Sequence, residues 1–101
     1  MKYLIIGQPN GTAIPPEMGA QLYQACIEWM DGHFAAGNLE CHYVFADMGG
    51  FVIANADSHE EIFDRIVTYP MYAFFDWEVD ALCEWRPIHE GMIKNFQAMA
   101  G

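Results

Sequence analysis

A four-residue turn, Asp47-Met48-Gly49-Gly50, separates two apolar stretches near the middle of the chain, and a helical pattern lies beyond each of them. Upstream of the turn, residues 39–46 alternate. Leu39, Cys41, Tyr43 and Phe45 fall on one side and Glu40, His42, Val44 and Ala46 on the other, which is the period of a strand. Downstream, Phe51-Val52-Ile53-Ala54-Asn55-Ala56 reads as the return strand of a hairpin.

The outer segments complete the order. Residues 2–8 form a short apolar run closed by a turn signal and read as a buried strand. The loop 10–16 ends in Pro15-Pro16, which suits entry to a helix, and residues 17–36 follow a helical period. Leu22, Cys26, Trp29, Met30 and His33 share its apolar stripe, and Gly37-Asn38 stops it. Asp57 or Ser58 caps a second helix with Glu60 and Glu61 in its first turn. Ile62, Phe63, Ile66 and Val67 are its expected buried stripe and Pro70 its end. Residues 72–84 alternate again, with Ala73, Phe75, Trp77, Val79, Ala81 and Cys83 opposite Phe74, Asp76, Glu78, Asp80, Leu82 and Glu84. Ile88, Met92, Ile93, Phe96 and Met99 then suggest a short amphipathic tail helix. The expectation is one α+β domain over residues 1–101, a ferredoxin-like βαββαβ sandwich with a C-terminal helix.

Composition narrows the partners. Hydrophobic residues make up 53% of the chain, more than one small compact core needs, so part of this surface is expected at a subunit interface or around a cavity. The net charge of −10 comes from 14 acids against Lys2, Arg65, Arg86 and Lys94. Without clustered bases, neither nucleic acid nor an anionic membrane surface is an expected partner. Cys26, Cys41 and Cys83 form no CxxC motif and no even-numbered framework, so free thiols in the cytoplasm are the plain expectation. No signal peptide or bilayer-spanning segment is expected.

The stretch from Tyr69-Pro70-Met71-Tyr72 through Asp76-Trp77-Glu78-Val79-Asp80-Ala81-Leu82 resembles the end of muconolactone isomerase, where a proline leads through aromatic residues into an Asp-x-Glu-Val-Asp-x-Leu strand. The resemblance implies a dimeric α/β barrel, often in larger assemblies, that shuttles protons without a cofactor to move a double bond in an unsaturated lactone. In such a fold the second and fourth strands are the sheet edges. Pairing them between two copies closes the barrel and would bring His42 near the Asp76–Glu78–Asp80 face of the partner. An anionic lactone calls for a cation, for which only Arg86 and Lys2 are placed.

His42 is the expected acid or base, because an imidazole works near neutrality; otherwise it is a hydrogen-bonded interior histidine. Asp76, Glu78 and Asp80 share one strand face, where crowding in a cavity would raise a carboxyl pKa; in solvent they would merely keep an edge soluble. Glu78 and Asp76 are the candidates to act with His42, and Glu40 could orient it. Tyr43, Tyr72, Phe74 and Trp77 could wall a pocket for an apolar ring, or be core. His33, His59 and His89 show no metal-ligand spacing with His42, so no metal site is expected. The one serine, Ser58, stands at a helix start and not in a nucleophile elbow. Together these point to a cofactor-independent proton-transfer enzyme, an isomerase or aldol-type cyclase. Its substrate would be a small, neutral or weakly charged unsaturated carbonyl compound. The alternatives are a binding or assembly module on the same barrel, or a cofactor-free monooxygenase.

Overall fold

The computed structural model describes residues 1–101. Strand β1 (Lys2–Pro9), helix α1 (Pro16–Ala35), the hairpin β2 (Leu39–Val44) and β3 (Gly50–Asn55), helix α2 (His59–Ile66), strand β4 (Phe75–Leu82) and helix α3 (Trp85–Ala100) follow in that order. The four strands form one antiparallel sheet in the order β2-β3-β1-β4, so β2 and β4 are its edges. The sheet is not closed on itself. This is the expected βαββαβ sandwich with an added C-terminal helix.

Burial alternates along β1: Tyr3, Ile5 and Gly7 face the helices, while Leu4 and Ile6 are half-buried on the opposite, open face. Tyr3 and Ile5 join Leu39, Val52, Ala54, Ala56, Ile62 and Ile66 in the core, with Trp29, Met30, Trp77 and Val79 packed against it. Hydrophobic burial on one side of the sheet is therefore what fixes α1 and α2.

Local chemistry sets the ends of the elements. Pro16 occupies the first turn of α1, where its missing N–H would be unpaired in any case. The helix closes in a Schellman arrangement: Gly37 takes φ 76°, Gly37 N–H donates to Phe34 O, and Asn38 N–H donates to His33 O. Of the two candidate caps for α2, Ser58 serves, its Oγ accepting from Glu61 N–H at 3.2 Å. Glu61 reaches back to accept from Asp57 N–H at 2.8 Å, a close variant of the capping box.

Four expectations need correction. The strand expected over 72–84 is shorter, because Tyr72–Phe74 form a 3₁₀ turn before β4 begins at Phe75. On α2, Phe63 and Val67 are exposed and Arg65 is buried in their place. Helix α3 begins at Trp85, ahead of Ile88; Pro87 is tolerated in the first turn, where no N–H has an intrahelical partner.

The fourth concerns β2. Leu39 pairs with Ala54 and Cys41 with Ile53, so Glu40 is the extra residue of a β-bulge. One inserted residue reverses the side-chain alternation beyond it. Leu39 and His42 therefore share the helix face, and Glu40 is not beside His42 but ion-paired with Lys2.

Candidate active site

A pocket of about 340 Å³ opens between α1 and the helix face of the sheet. Its floor is Ile5 and Gly7 of β1 with Val52 of β3, and its far wall is Phe75 and Trp77 of β4. Cys26, Trp29 and Met30 of α1 and Tyr69 beyond α2 close it from above, and His42 enters from edge strand β2. Gly7 is needed there: a Cβ would stand 3.1 Å from the Trp77 ring. The rim is apolar and open, with Tyr23, Ile27, Val44 and Met48 between 44% and 59% exposed. Met48 holds φ 73° in the hairpin turn, a conformation uncommon for a residue with a side chain.

The walls are aromatic and mutually packed. Tyr69 meets Trp29 edge-on at 5.1 Å and Trp77 edge-on at 5.6 Å, and Phe75 lies 5.8 Å from Trp77. Both indoles are fixed by hydrogen bonds, Trp29 Nε1–H to Thr68 Oγ1 at 3.0 Å and Trp77 Nε1–H to Tyr72 O at 3.1 Å. These bonds fix both rings and leave neither indole N–H free.

Polar groups are few. His42 Nδ1 lies 3.2 Å from the carbonyl oxygen of Phe51. A carbonyl only accepts, so Nδ1 is the donor, and in the neutral ring Nε2 keeps its lone pair. The ring is thus oriented as a base. The Tyr69 phenol is pushed well above its usual range, first by burial and then by a hydrogen bond with the Cys26 thiol, with Tyr23 nearby adding to the effect. It remains a donor at any physiological pH. Arg65 also borders the pocket, but its Nη1 donates to Asn38 O and Asn55 O and its Nη2 pairs with Glu61 at 3.2 Å. No unpaired cation faces the cavity.

Of the residues singled out in the sequence, His42 and Trp77 line this pocket; the others do not. Asp76, Glu78 and Asp80 are exposed on the open face, in register with Gln8, Ile6 and Leu4, and so stand on the opposite side of the sheet from His42. Edge-to-edge pairing continues each face into its like, so it does not by itself turn those acids toward a partner's His42. Glu40 is committed to Lys2, and its carboxyl is held below the usual range by that hydrogen bond. Tyr43 is 65% exposed at the β2 edge against Phe51. Tyr72 and Phe74 sit in the 3₁₀ turn, Tyr72 stacked on Trp77 from outside the lining. Arg86 lies on α3, over the Trp85 ring at 4.6 Å and 3.9 Å from Glu90. Sequence reasoning missed Tyr69, Cys26 and Trp29 as site residues. The only signal for the α1 pair was a stripe that reads equally as core. No three His, Cys, Asp or Glu side chains gather in metal-binding geometry.

No protein-family model matches the chain, and no curated protein matches its sequence. Solved structures do match. Muconolactone isomerase superposes with a TM-score of 0.74 at 19% identity, covering 83% of this chain and 90% of that one. The 5-chloro-2-hydroxyhydroquinone dehydrochlorinase of Burkholderia phenoliruptrix AC1100, in complex with 2,5-dihydroxybenzoquinone, superposes with a TM-score of 0.64 at 18% identity, covering 83% and 95%. The fold of this chain is the muconolactone isomerase fold, in agreement with the resemblance carried by residues 69–83.

Proposed function

We propose that the protein is a cofactor-independent proton-transfer enzyme that moves a double bond, or closes a ring by an aldol-type step, in a small neutral unsaturated carbonyl compound. The observation that carries this is the His42 ring, its Nδ1 held by the Phe51 carbonyl, at the side of an apolar pocket. His42 Nε2 takes a proton from the carbon next to the substrate carbonyl. The electron pair of that C–H bond passes to the carbonyl oxygen as an enolate, which accepts a hydrogen bond from the Tyr69 hydroxyl. The protonated His42 then returns the proton to the far end of the conjugated system, so that no proton or electron is gained or lost. Tyr69 is given this role because it lines the same pocket as His42 and its phenol stays protonated. Aromatic walls and the absence of an unpaired cation favour a flat, uncharged substrate over a carboxylate. The two structural neighbours, an isomerase and a dehydrochlorinase in complex with a quinone, are named for small ring compounds.

The reading extends to a homodimer in the cytoplasm. The edges β2 and β4 are unpaired, and an uncovered sheet edge seeks a partner strand. The three cysteines are free thiols, and no helix is long and apolar enough to cross a membrane.

The test is a screen of unsaturated lactones, β-keto compounds and hydroxyquinones for exchange of substrate hydrogen with solvent deuterium. Exchange that disappears in His42→Ala is the expected result. A compound that binds in the pocket without exchange would make the protein a binding module, a reading favoured only by how apolar the lining is. Oxygen uptake on turnover would make it a monooxygenase.

A further inference from the structure

We propose that Met48 is a substrate contact, held in a left-handed conformation at the hairpin tip so that its thioether closes over the open side of a ring seated in the pocket. This rests on the pocket proposed above as the site of a flat, uncharged ring, and it names a residue that completes that site.

The turn separates what each residue is needed for. Met48 N–H donates to Phe45 O at 3.0 Å and Phe45 N–H to Gly49 O at 2.7 Å, so a β-turn over Phe45–Met48 closes the hairpin. Asp47 Oδ1 accepts from Gly49 N–H at 2.9 Å and holds the next step. A tip of this kind, a turn followed by one left-handed residue, ordinarily gives the left-handed position to glycine. Glycines do occupy the next two positions, but each is required there by close approach. A Cβ on Gly49 would stand 2.6 Å from Gly7 O, and one on Gly50 would stand 2.7 Å from Tyr43 O. The left-handed position itself, at φ 73°, carries methionine.

Packing does not account for that choice. Backbone strain persists where the surroundings offset it. The hydrogen bonds of the turn fix the Met48 backbone, yet its side chain is 57% exposed and stands outside the core. Glycine or asparagine would keep the same main-chain bonds with less strain. The methionine side chain instead belongs to the pocket lining, with Val44 and Gly49 of the same hairpin.

The pocket is open where Met48 stands. Trp29, Tyr69, Phe75 and Trp77 wall it from within, and their mutual packing and indole hydrogen bonds keep them from swinging outward. A small-molecule site buries most of its ligand, so a ring against those walls still needs a cover on its outer side. Four large residues stand at the mouth: Tyr23, Ile27, Val44 and Met48. Ile27 and Val44 are branched at Cβ and stiff at χ1, and Tyr23 is a rigid ring on α1. Met48 alone is unbranched, with three rotatable bonds and a polarisable sulfur that meets the edge of an aromatic ring favourably. It is the rim residue able to adapt to a ring.

The test measures binding of 1-tetralone, a flat neutral two-ring ketone, by isothermal titration. The full chain is compared with Met48→Gly, Met48→Asn and Met48→Leu, and thermal unfolding and sedimentation are recorded for each. In Met48→Gly the two main readouts are expected to move in opposite directions. Affinity falls about five- to tenfold as the cover is lost. Tm rises by about 2–5 °C, because relief of the left-handed strain exceeds the freedom that glycine adds to the unfolded chain. Met48→Asn, which tolerates that backbone, should lose the same affinity with no loss of Tm. Met48→Leu keeps the apolar bulk and should stay within about threefold of the parent in affinity. Sedimentation should not change. Unaltered affinity in the glycine and asparagine variants, a fall of Tm in both, or an affinity loss accompanied by altered sedimentation would overturn the assignment. A parent that does not bind 1-tetralone would overturn the ring site itself and this contact with it. Turnover enters none of these readouts, so the proposed proton transfer is judged apart from them.

Discussion

His42 and Phe51 are joined across the β2–β3 hairpin by a bond from an imidazole Nδ1–H to a main-chain carbonyl 3.2 Å away. Phe51 directs its own side chain toward Tyr43 and Phe45, so one residue braces the histidine through its backbone and the edge aromatics through its ring. The base is thereby fixed by a group that no side-chain substitution at Phe51 removes. Replacing His42 by Ala or Gln is expected to lower solvent-exchange activity about 10²–10⁴-fold with little change in thermal stability, since the ring is only half-buried. Phe51→Leu, which keeps the carbonyl, should retain most of the activity. Parallel exchange assays on the three variants check both statements.

Tyr69→Phe removes the hydroxyl proposed to hold the enolate, and the expected loss in kcat is about 10²–10³-fold. The same phenol gives a pH signature. Its folded pKa is raised by burial and by Cys26, so between the ordinary tyrosine value and the folded value the unfolded chain has lost a proton that the folded chain keeps. Stability from this group is complete below about pH 10 and declines as pH rises beyond it. Tyr69→Phe should therefore flatten the alkaline limb of a stability-against-pH curve measured by chemical denaturation. An unchanged limb would show that Tyr69 titrates alike in both states.

Element order was legible because each element carries its own signal: the hairpin turn before 51–56, alternation over 72–84, the Ser58 cap, and the Gly37-Asn38 stop. The Glu40 bulge was not. Residues 39–44 alternate without interruption in sequence, and only the Lys2–Glu40 pair and the register against β3 show that one residue is extra. That single insertion moved His42 to the helix face, away from the acids of β4. The pocket was hidden for a related reason. Cys26, Trp29 and Met30 satisfy the same period whether α1 rests on the sheet or stands off it, and periodicity cannot measure that gap.

Arg65 draws three segments together, and its loss should cost more than any surface charge. The side chain is 6% exposed, bonds the Asn38 and Asn55 carbonyls at 3.3 and 3.0 Å, and is neutralised by Glu61 one turn away. Removing it takes the Arg65 donors from the Asn38 and Asn55 carbonyls and from Glu61, and leaves Asn38 O with the Asn55 N–H alone. Arg65→Ala is expected to destabilise the fold by about 2–4 kcal/mol in denaturant titration. Arg65→Lys should recover only part of this, because an ammonium cannot span both carbonyls and Glu61 as the planar fork does.

Gly7 offers a way to reshape the pocket without touching the groups proposed to react. It lies on β1 beneath the Trp77 ring, where an added methyl would stand 3.1 Å from the ring and 3.5 Å from Phe75. Trp77 is held through Nε1 to the Tyr72 carbonyl, so it cannot tilt away without losing that bond. The strain should cost about 1–3 kcal/mol, and relief would push the indole into the cavity. Gly7→Ala is therefore expected to weaken binding of bicyclic aromatic ligands more than that of single rings, with His42 and Tyr69 left in place. Isothermal titration with a one-ring and a two-ring ketone measures the difference. Equal loss for both would mean that the Trp77 wall does not set the size of what the pocket admits.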